Sequence, residues 1–124
     1  VLGFRRVLFR SSRENQHELC VLARKFDNLH PFGCWWFNNV PYLIDETLRL
    51  RLELLGTSFT AQHSDARVLD QIIYKWDHSR RSLSSVLTDK YADLALTGWE
   101  PTAAEVERDV HGLLGGAFEQ FCKM

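Results

Sequence analysis

An aspartate and an arginine two residues apart, Asp65 and Arg67, are the residues of this chain best suited to chemistry. They close the stretch GTSFTAQHSDAR at residues 56–67, whose pattern predicts a short strand followed directly by a helix. In barrels of alternating strands and helices, reactive groups lie at the C-terminal ends of the strands. A carboxylate there can move a proton or hold a metal, and a guanidinium can bind an anion. The pair therefore predicts part of an enzyme site.

A helix cap is the competing interpretation of Asp65. A carboxylate at an N-cap accepts backbone N–H groups and stabilises a helix by about 1 kcal/mol. Ser64 could be the cap instead, which would leave Asp65 for the pocket. Arg67 would then lie in the first turn, where a cation opposes the helix dipole, and this favours an anion-binding role. His63 is adjacent, but a single histidine is more often structural than a ligand.

Two tryptophans, Trp35 and Trp36, lie with Asn38 at the end of another apolar segment. If this segment is a strand, alternation sends the two indoles to opposite faces. One would pack under a helix and the other would face the mouth of a barrel. An aromatic core is the alternative that the residues by themselves favour.

Two predicted strands are separated by one helix. The strands cover residues 29–37 and 57–62, and the helix runs from Pro41 to a C-terminal cap at Gly56. Ile44 and other aliphatic residues form an apolar stripe along this helix. Arg51 is expected to face away from that stripe.

Helices fill the remainder of the chain. One covers residues 12–26, and another follows the second strand with an interruption expected at residues 78–81. A capping box of Thr102 and Glu105 begins the last helix. This alternation predicts an α/β fold, mostly helical with about two parallel strands joined by crossovers. Two strands cannot form a sheet covered on both faces, so the other strands are expected on residues that this chain does not contain.

Composition excludes several classes of protein. The chain has 124 residues and a formal net charge of -1, which gives no reason to expect nucleic acid or an anionic membrane as a partner. The three cysteines Cys20, Cys34 and Cys122 have no CxxC spacing. Reduced, largely buried thiols in a cytoplasmic protein are therefore expected. No apolar run approaches the length of about 18 residues that a membrane span needs.

The first twelve residues are unusual. Their RVLFRS run at residues 6–11 resembles the translation of a sequencing-library adapter, so residues 1–12 are predicted to be non-native. A basic amphipathic start that docks on the next helix is the alternative. The native domain is accordingly expected to cover residues 13–124.

Three segments together resemble a known family. They are GCWWFN at residues 33–38, RLELLGTSF at residues 51–59 and HSDAR at residues 63–67. Their order and separation resemble the C-terminal part of uronate isomerase (glucuronate isomerase). The resemblance runs from about Glu18 to near the end of the chain. It departs from the more familiar branch of the family at Asn39, where that branch has an aspartate.

The resemblance implies a C-terminal fragment of a (β/α)8 TIM-type barrel of the amidohydrolase superfamily. The implied reaction is the aldose–ketose isomerisation of D-glucuronate to D-fructuronate, and of D-galacturonate to D-tagaturonate. It also implies a hexuronate as the substrate, a homo-oligomeric full-length enzyme, and one divalent metal such as zinc in that enzyme. No cofactor is expected in the fragment.

The same resemblance assigns roles to particular residues. Asp65 would touch the metal and shuttle a proton, and Arg67 would bind the substrate or stabilise the enediolate oxygen. Trp35 or Trp36 would border the sugar, with Asn38 nearby. The paired histidines of the family's first strand are absent from this chain, so the chain by itself is expected to be inactive. A small helical, non-enzymatic interaction module is the alternative, and a hydrolase of the same superfamily is a weaker one.

Overall fold

Two short parallel strands form the sheet. In the computed structural model, which describes residues 5–8, 11–62 and 64–124, strand β1 covers Arg6–Leu8 and strand β2 covers Leu29–Pro31. Arg6 lies opposite Leu29 and Leu8 opposite Pro31. A 3-10 turn at Arg13–Asn15 and helix α1, Gln16–Lys25, make the crossover between the strands.

A third segment joins the other side of β2 through a single parallel bridge between Phe32 and Thr60. Successive peptide groups of the segment after β2 point to opposite sides. The Phe32 N–H donates to the Leu8 carbonyl at 2.9 Å, and the next N–H, of Gly33, donates to the Thr60 carbonyl at 3.0 Å. The chain therefore contains two successive strand–helix units in a parallel arrangement.

The predicted mostly helical fold with two parallel strands is confirmed, but the bounds of the strands differ from those predicted. Strand β1 was not predicted, the strand predicted at residues 29–37 ends at Pro31, and the one predicted at residues 57–62 is reduced to the bridge at Thr60. Proline lacks an N–H for a ladder, and Gly33, with φ +42°, turns the chain out of the sheet. The prediction that residues 1–12 are non-native falls partly outside the described residues and stays a prediction.

Helix α2 covers Pro41–Leu55, with proline in its first turn and Gly56 as the C-cap at φ +60°, as predicted. It packs against α1 and against helix α3, Leu69–Ala95. Leu55 and other aliphatic residues of its inner face contact a core that α1 does not enter. The buried members of this core are Cys34, Ile44, Leu48, Phe59, Ala61, Leu83, Val86, Leu87 and Leu113.

Helix α3 is a single helix of 27 residues, Leu69–Ala95. The interruption predicted at residues 78–81 is wrong. The helix contains neither glycine nor proline, and on its exposed side Arg81 pairs with Asp77 one turn earlier at 2.8 Å. Leu83 then continues the buried face. Polar residues can lie on the solvent side of a continuous helix without breaking it.

The C-terminal helices are α4, Ala103–His111, and α5, Ala117–Lys123, joined by a π-helical turn at Gly112–Gly116. Gly115 adopts φ +148° there, which few residues other than glycine tolerate. The glycines therefore interrupt the regular α-helical geometry between α4 and α5.

The predicted capping box at the start of α4 is also present. The Thr102 hydroxyl accepts from the Glu105 N–H at 3.3 Å, and the Thr102 N–H donates to the Glu105 carboxylate at 2.8 Å. Thr102→Ala is expected to lower the free energy of unfolding by about 1 kcal/mol, because one N–H of the first turn loses its acceptor. Urea denaturation measures this, with Thr102→Ser as the control that keeps the hydroxyl. Equal stabilities of the alanine and serine variants would contradict the cap's role.

Candidate active site

The loop that carries Asp65 and Arg67 runs from the bridge at Thr60 to the start of α3. Asp65 adopts φ +43°, in the left-handed region that aspartate tolerates better than most residues. The Asp65 carbonyl accepts a hydrogen bond from Lys75 Nζ at 2.9 Å, which ties the loop to α3. Non-glycine residues in this region of backbone space cluster at functional sites. The backbone therefore supports Asp65 as a candidate site residue.

The Asp65 carboxylate does not cap a helix. The N-cap of α3 is Val68, whose extended backbone carries no side-chain hydrogen bond to the helix. The prediction that Ser64 or Asp65 caps a helix starting directly afterwards is therefore wrong, because the chain turns at Asp65 and reaches the helix only at Leu69. Within residues 5–8, 11–62 and 64–124, no hydrogen bond or ion pair engages this carboxylate. The half-buried group is free for proton transfer or for a ligand.

Arg67 lies two residues before α3, so its predicted position in the first helical turn is also wrong. Its side chain is exposed, and its backbone N–H donates to Gln71 Oε1 at 2.9 Å. This bond fixes the backbone from which the guanidinium extends. His63, which precedes the pair, lies outside the described residues.

The two tryptophans do not alternate along a strand. Trp36–Asn38 forms a 3-10 turn, so the prediction of opposite strand faces is wrong. The Phe37 ring makes edge contacts with both indoles, and its centroid lies 4.8 Å from that of Trp35 and 5.6 Å from that of Trp36. Trp35 is half-buried, whereas Trp36 is 61% exposed. Of the two, Trp36 presents the larger ring surface to an incoming ligand.

Asn38 is buried, and its Nδ2 donates to the Ser11 carbonyl at 2.7 Å. One donor of the amide is therefore already used to hold the chain entering the turn before α1. The substrate-binding role of Asn38 stays a prediction.

The two motif-bearing segments leave the sheet at the same edge. The parallel bridge joins Phe32 to Thr60, and in a parallel pair both chains run in the same direction. Trp35 follows the bridge on one segment, and Asp65 follows it on the other. The C-terminal edge expected for barrel chemistry is thus the edge from which both motifs emerge.

Neither of two cavities in the described part of the chain is lined by these residues. One, of about 540 Å³, lies at the opposite edge of the sheet, where its lining includes Leu29 at the start of β2 and Ser58 ahead of the bridge. The other, of about 320 Å³, lies between α3 and α4 and includes Leu83 and Tyr91. The motifs therefore form an open edge of the described structure rather than an enclosed pocket.

Metal ligands are not assembled in the described ranges. Across residues 5–8, 11–62 and 64–124, no group of three or more His, Cys, Asp or Glu side chains could hold a metal ion. Cys20 and Cys34 are buried free thiols, and Cys122 is exposed. Burial raises the pKa of both buried thiols. The prediction of largely buried, reduced cysteines is confirmed for two of the three.

A buried polar network under the site edge was missed by the sequence analysis. The His30 Nε2 and Thr60 Oγ1 atoms lie 2.9 Å apart. Burial, and secondarily the Arg51 cation, lowers the pKa of His30, which favours the neutral ring. Arg51, expected to face away from the apolar stripe, is instead 1% exposed. Its position seven residues after Ile44, at helical spacing on the same face, was the signal that could have indicated this.

None of the helices in the described part of the chain is long and apolar enough to cross a membrane. No protein-family model matches the chain, and no curated protein matches it. Among solved structures, the chain is similar to a crystal structure of a uronate isomerase from Bacillus halodurans C-125. The two share 56% sequence identity and a TM-score of 0.90, and the likeness covers 94% of this chain but 28% of that protein. A likeness this high in both sequence and backbone means that the chain belongs to the uronate isomerase family.

Proposed function

We propose that this chain supplies part of the active site of a uronate isomerase. The proposed reaction is the conversion of D-glucuronate to D-fructuronate, and of D-galacturonate to D-tagaturonate, in a cytoplasmic homo-oligomer. The observation that carries the proposal is the 56% identity with a uronate isomerase over 94% of the chain. Because the chain spans 28% of that protein, the fragment is proposed to be a C-terminal part of a (β/α)8 barrel of the amidohydrolase superfamily.

The proposed chemistry is a proton transfer between neighbouring carbons. A base removes the C2 proton of the open-chain aldehyde, and the electrons move onto the carbonyl oxygen to give an enediolate. A proton then adds to C1, and the proton of the C2 hydroxyl passes to the C1 oxygen, which leaves the carbonyl at C2 of the ketose. Asp65 is proposed as the group that shuttles the proton, since its half-buried carboxylate is not used as a cap.

Arg67 and the aromatic segment are proposed to bind the sugar. The exposed Arg67 guanidinium carries the donor fork that suits the substrate carboxylate or the enediolate oxygen. Trp35 or Trp36 is proposed to border the sugar ring, and the greater exposure of Trp36 favours it. Asn38 is proposed to lie nearby.

The divalent metal of the full-length enzyme, such as zinc, rests on the family resemblance. The described residues do not form a metal site by themselves. Asp65 is proposed as the ligand that this chain would contribute.

A chimeric enzyme tests the proposal. In this chimera, the matched 28% of the Bacillus halodurans uronate isomerase is exchanged for the present chain. The chimera is expected to convert both uronates to their keto sugars, because the exchanged parts share the same backbone. Proton NMR of the sugars measures turnover, and the parent enzyme is the control. A chimera that folds and assembles like its parent but converts neither sugar would refute the proposal.

A further inference from the structure

The least expected side chain of the core is Arg51. It is 1% exposed, its Nη1 donates to the Gly33 carbonyl at 2.7 Å, and its Nη2 donates to Gln16 Oε1 at 2.9 Å. Its guanidinium carbon lies 5.9 Å from the centroid of the Phe59 ring. In the described structure these oxygen partners are a carbonyl and an amide, and no carboxylate forms an ion pair with this cation.

This burial is costly. A buried cation without a carboxylate partner loses its hydration and recovers only part of it from neutral acceptors. The Arg51 Nε is buried without a hydrogen-bond partner among the described residues, and burial lowers the pKa of the group. A methionine or leucine on this face of α2 would fill the core at lower cost. The arginine must therefore be explained by what its donors hold.

Arg51 binds the Gly33 carbonyl, and Gly33 lies where the two motif-bearing segments are hydrogen-bonded to each other. The Gly33 N–H donates to the Thr60 carbonyl at 3.0 Å, and the Thr60 N–H donates to the Pro31 carbonyl at 3.1 Å. The Gly33 carbonyl takes no part in this pairing and accepts the hydrogen bond from Arg51 Nη1. Gly33, with φ +42°, leaves the ladder here, and among the described residues no strand is hydrogen-bonded to that carbonyl.

Arg51 also contacts the second segment directly. The Phe59 ring, fully buried, faces the guanidinium and precedes Thr60 by one residue. One side chain on α2 thus holds the segment that leads to Trp35 and the segment that leads to Asp65. The bridge itself is a single residue pair, too short to fix the two segments without further support.

We infer that Arg51 is a positioning residue of the site, which fixes the Gly33–Thr60 junction and thereby the placement of the tryptophan segment relative to the Asp65 loop. Its catalytic consequence rests on the proposed isomerase function. Arg51 is not proposed to touch the substrate. It acts through the peptide groups that it orients.

Gln16 provides a matched control. It is buried, and from α1 its Oε1 accepts a hydrogen bond from the same guanidinium, whereas in the described structure it makes no bond to Gly33. Gln16→Met keeps side-chain volume and removes the bond to Arg51, together with the 3.4 Å bonds from Gln16 Nε2 to the Ser11 and Ser12 carbonyls. Arg51→Met removes the bonds to both Gln16 and Gly33. Arg51→Lys keeps a cation able to donate to the Gly33 carbonyl, although it loses the fork.

The first measurement is amide hydrogen exchange in the chimera. Arg51→Met is expected to speed exchange of the Gly33 amide at least ~10-fold beyond any change in global stability, because local opening of the junction becomes easier. Gln16→Met is expected to leave the Gly33 exchange rate unchanged once the change in global stability is subtracted. Arg51→Lys is expected to give an intermediate exchange rate. Equal exchange rates of the Gly33 amide in Arg51→Met and in the unsubstituted chimera would overturn the junction role, even if the chimera proves inactive.

The second measurement is uronate turnover. Arg51→Met is expected to lower kcat about 10- to 100-fold with a smaller change in KM, since a small misplacement of reacting groups lowers the rate steeply. Arg51→Lys is expected to recover part of this loss, and Gln16→Met to keep the kcat of the chimera. Equal loss of stability in both methionine variants with parental kcat in both would overturn the positioning role. If Arg51→Met speeds exchange at Gly33 but the unsubstituted chimera does not convert uronates, the proposed function is refuted. The role of Arg51 at the Gly33–Thr60 junction then still stands.

Discussion

Asp65→Asn is expected to lower the turnover of D-glucuronate by the chimera about 10²- to 10⁴-fold, because an amide cannot accept the proton that the Asp65 carboxylate is proposed to shuttle. In this structure, the substitution is expected to change the proton acceptor without changing the backbone or a helix cap. Asparagine tolerates the left-handed backbone of Asp65 as aspartate does. The N-cap of α3 is Val68, so the change removes no cap and little stability should be lost.

Ser64→Ala is the matched control for this experiment. It alters the neighbouring residue of the same loop, which also does not cap α3, and should leave both turnover and the midpoint of thermal unfolding unchanged. Initial rates on D-glucuronate and D-galacturonate, followed by NMR, give the comparison. Turnover by Asp65→Asn within a few-fold of the chimera on both sugars would remove Asp65 from the proton-transfer role.

The isolated chain is expected to show no detectable turnover and to self-associate. Its described surface carries large apolar side chains on the first turns of α3, with Leu69 81% and Ile73 78% exposed, and on α2, with Tyr42 71% exposed. Large apolar side chains that are this exposed favour association with other molecules. Two short strands with one isolated bridge also leave sheet edges available for pairing with another chain.

Light scattering after size-exclusion chromatography, at several concentrations, measures this self-association. A double variant, Leu69→Lys with Ile73→Glu, is expected to shift the isolated chain toward the monomer, because it places charges on the exposed face of α3. Leu96→Lys, at an 87% exposed position beyond the far end of α3, is the control and should change little. A wild-type chain that stays monomeric, unfolds cooperatively and isomerises uronates would contradict the expectation.

Local signals were sufficient for the ends of several helices. Pro41 and Gly56 bound α2, and Thr102 with Glu105 begins α4. Each of these signals acts through backbone angles or hydrogen bonds within four residues, so no distant part of the chain is needed to interpret it. The motifs at residues 33–38 and 63–67 likewise indicated the family, which the likeness to a uronate isomerase confirms.

Local sequence signals could not predict where the strands end or whether the Asp65 carboxylate caps a helix. A strand extends only as far as a neighbour pairs with it, and after Pro31 the neighbour is a single residue, Thr60. The choice between cap and free carboxylate at Asp65 depended on a left-handed backbone that its sequence neighbours permit but do not require.

The amino-acid sequence by itself determined the family and several helix ends, and it supplied the candidate residues of the site. Only the tertiary structure decided that Asp65 is not a cap, that the two motifs leave one edge of the sheet, and that Arg51 is buried beneath them. The physical reason is the range of the interactions. Caps and helical periodicity act within one or two turns, whereas a parallel bridge and a buried cation need partners that lie 18 or more residues away along the chain.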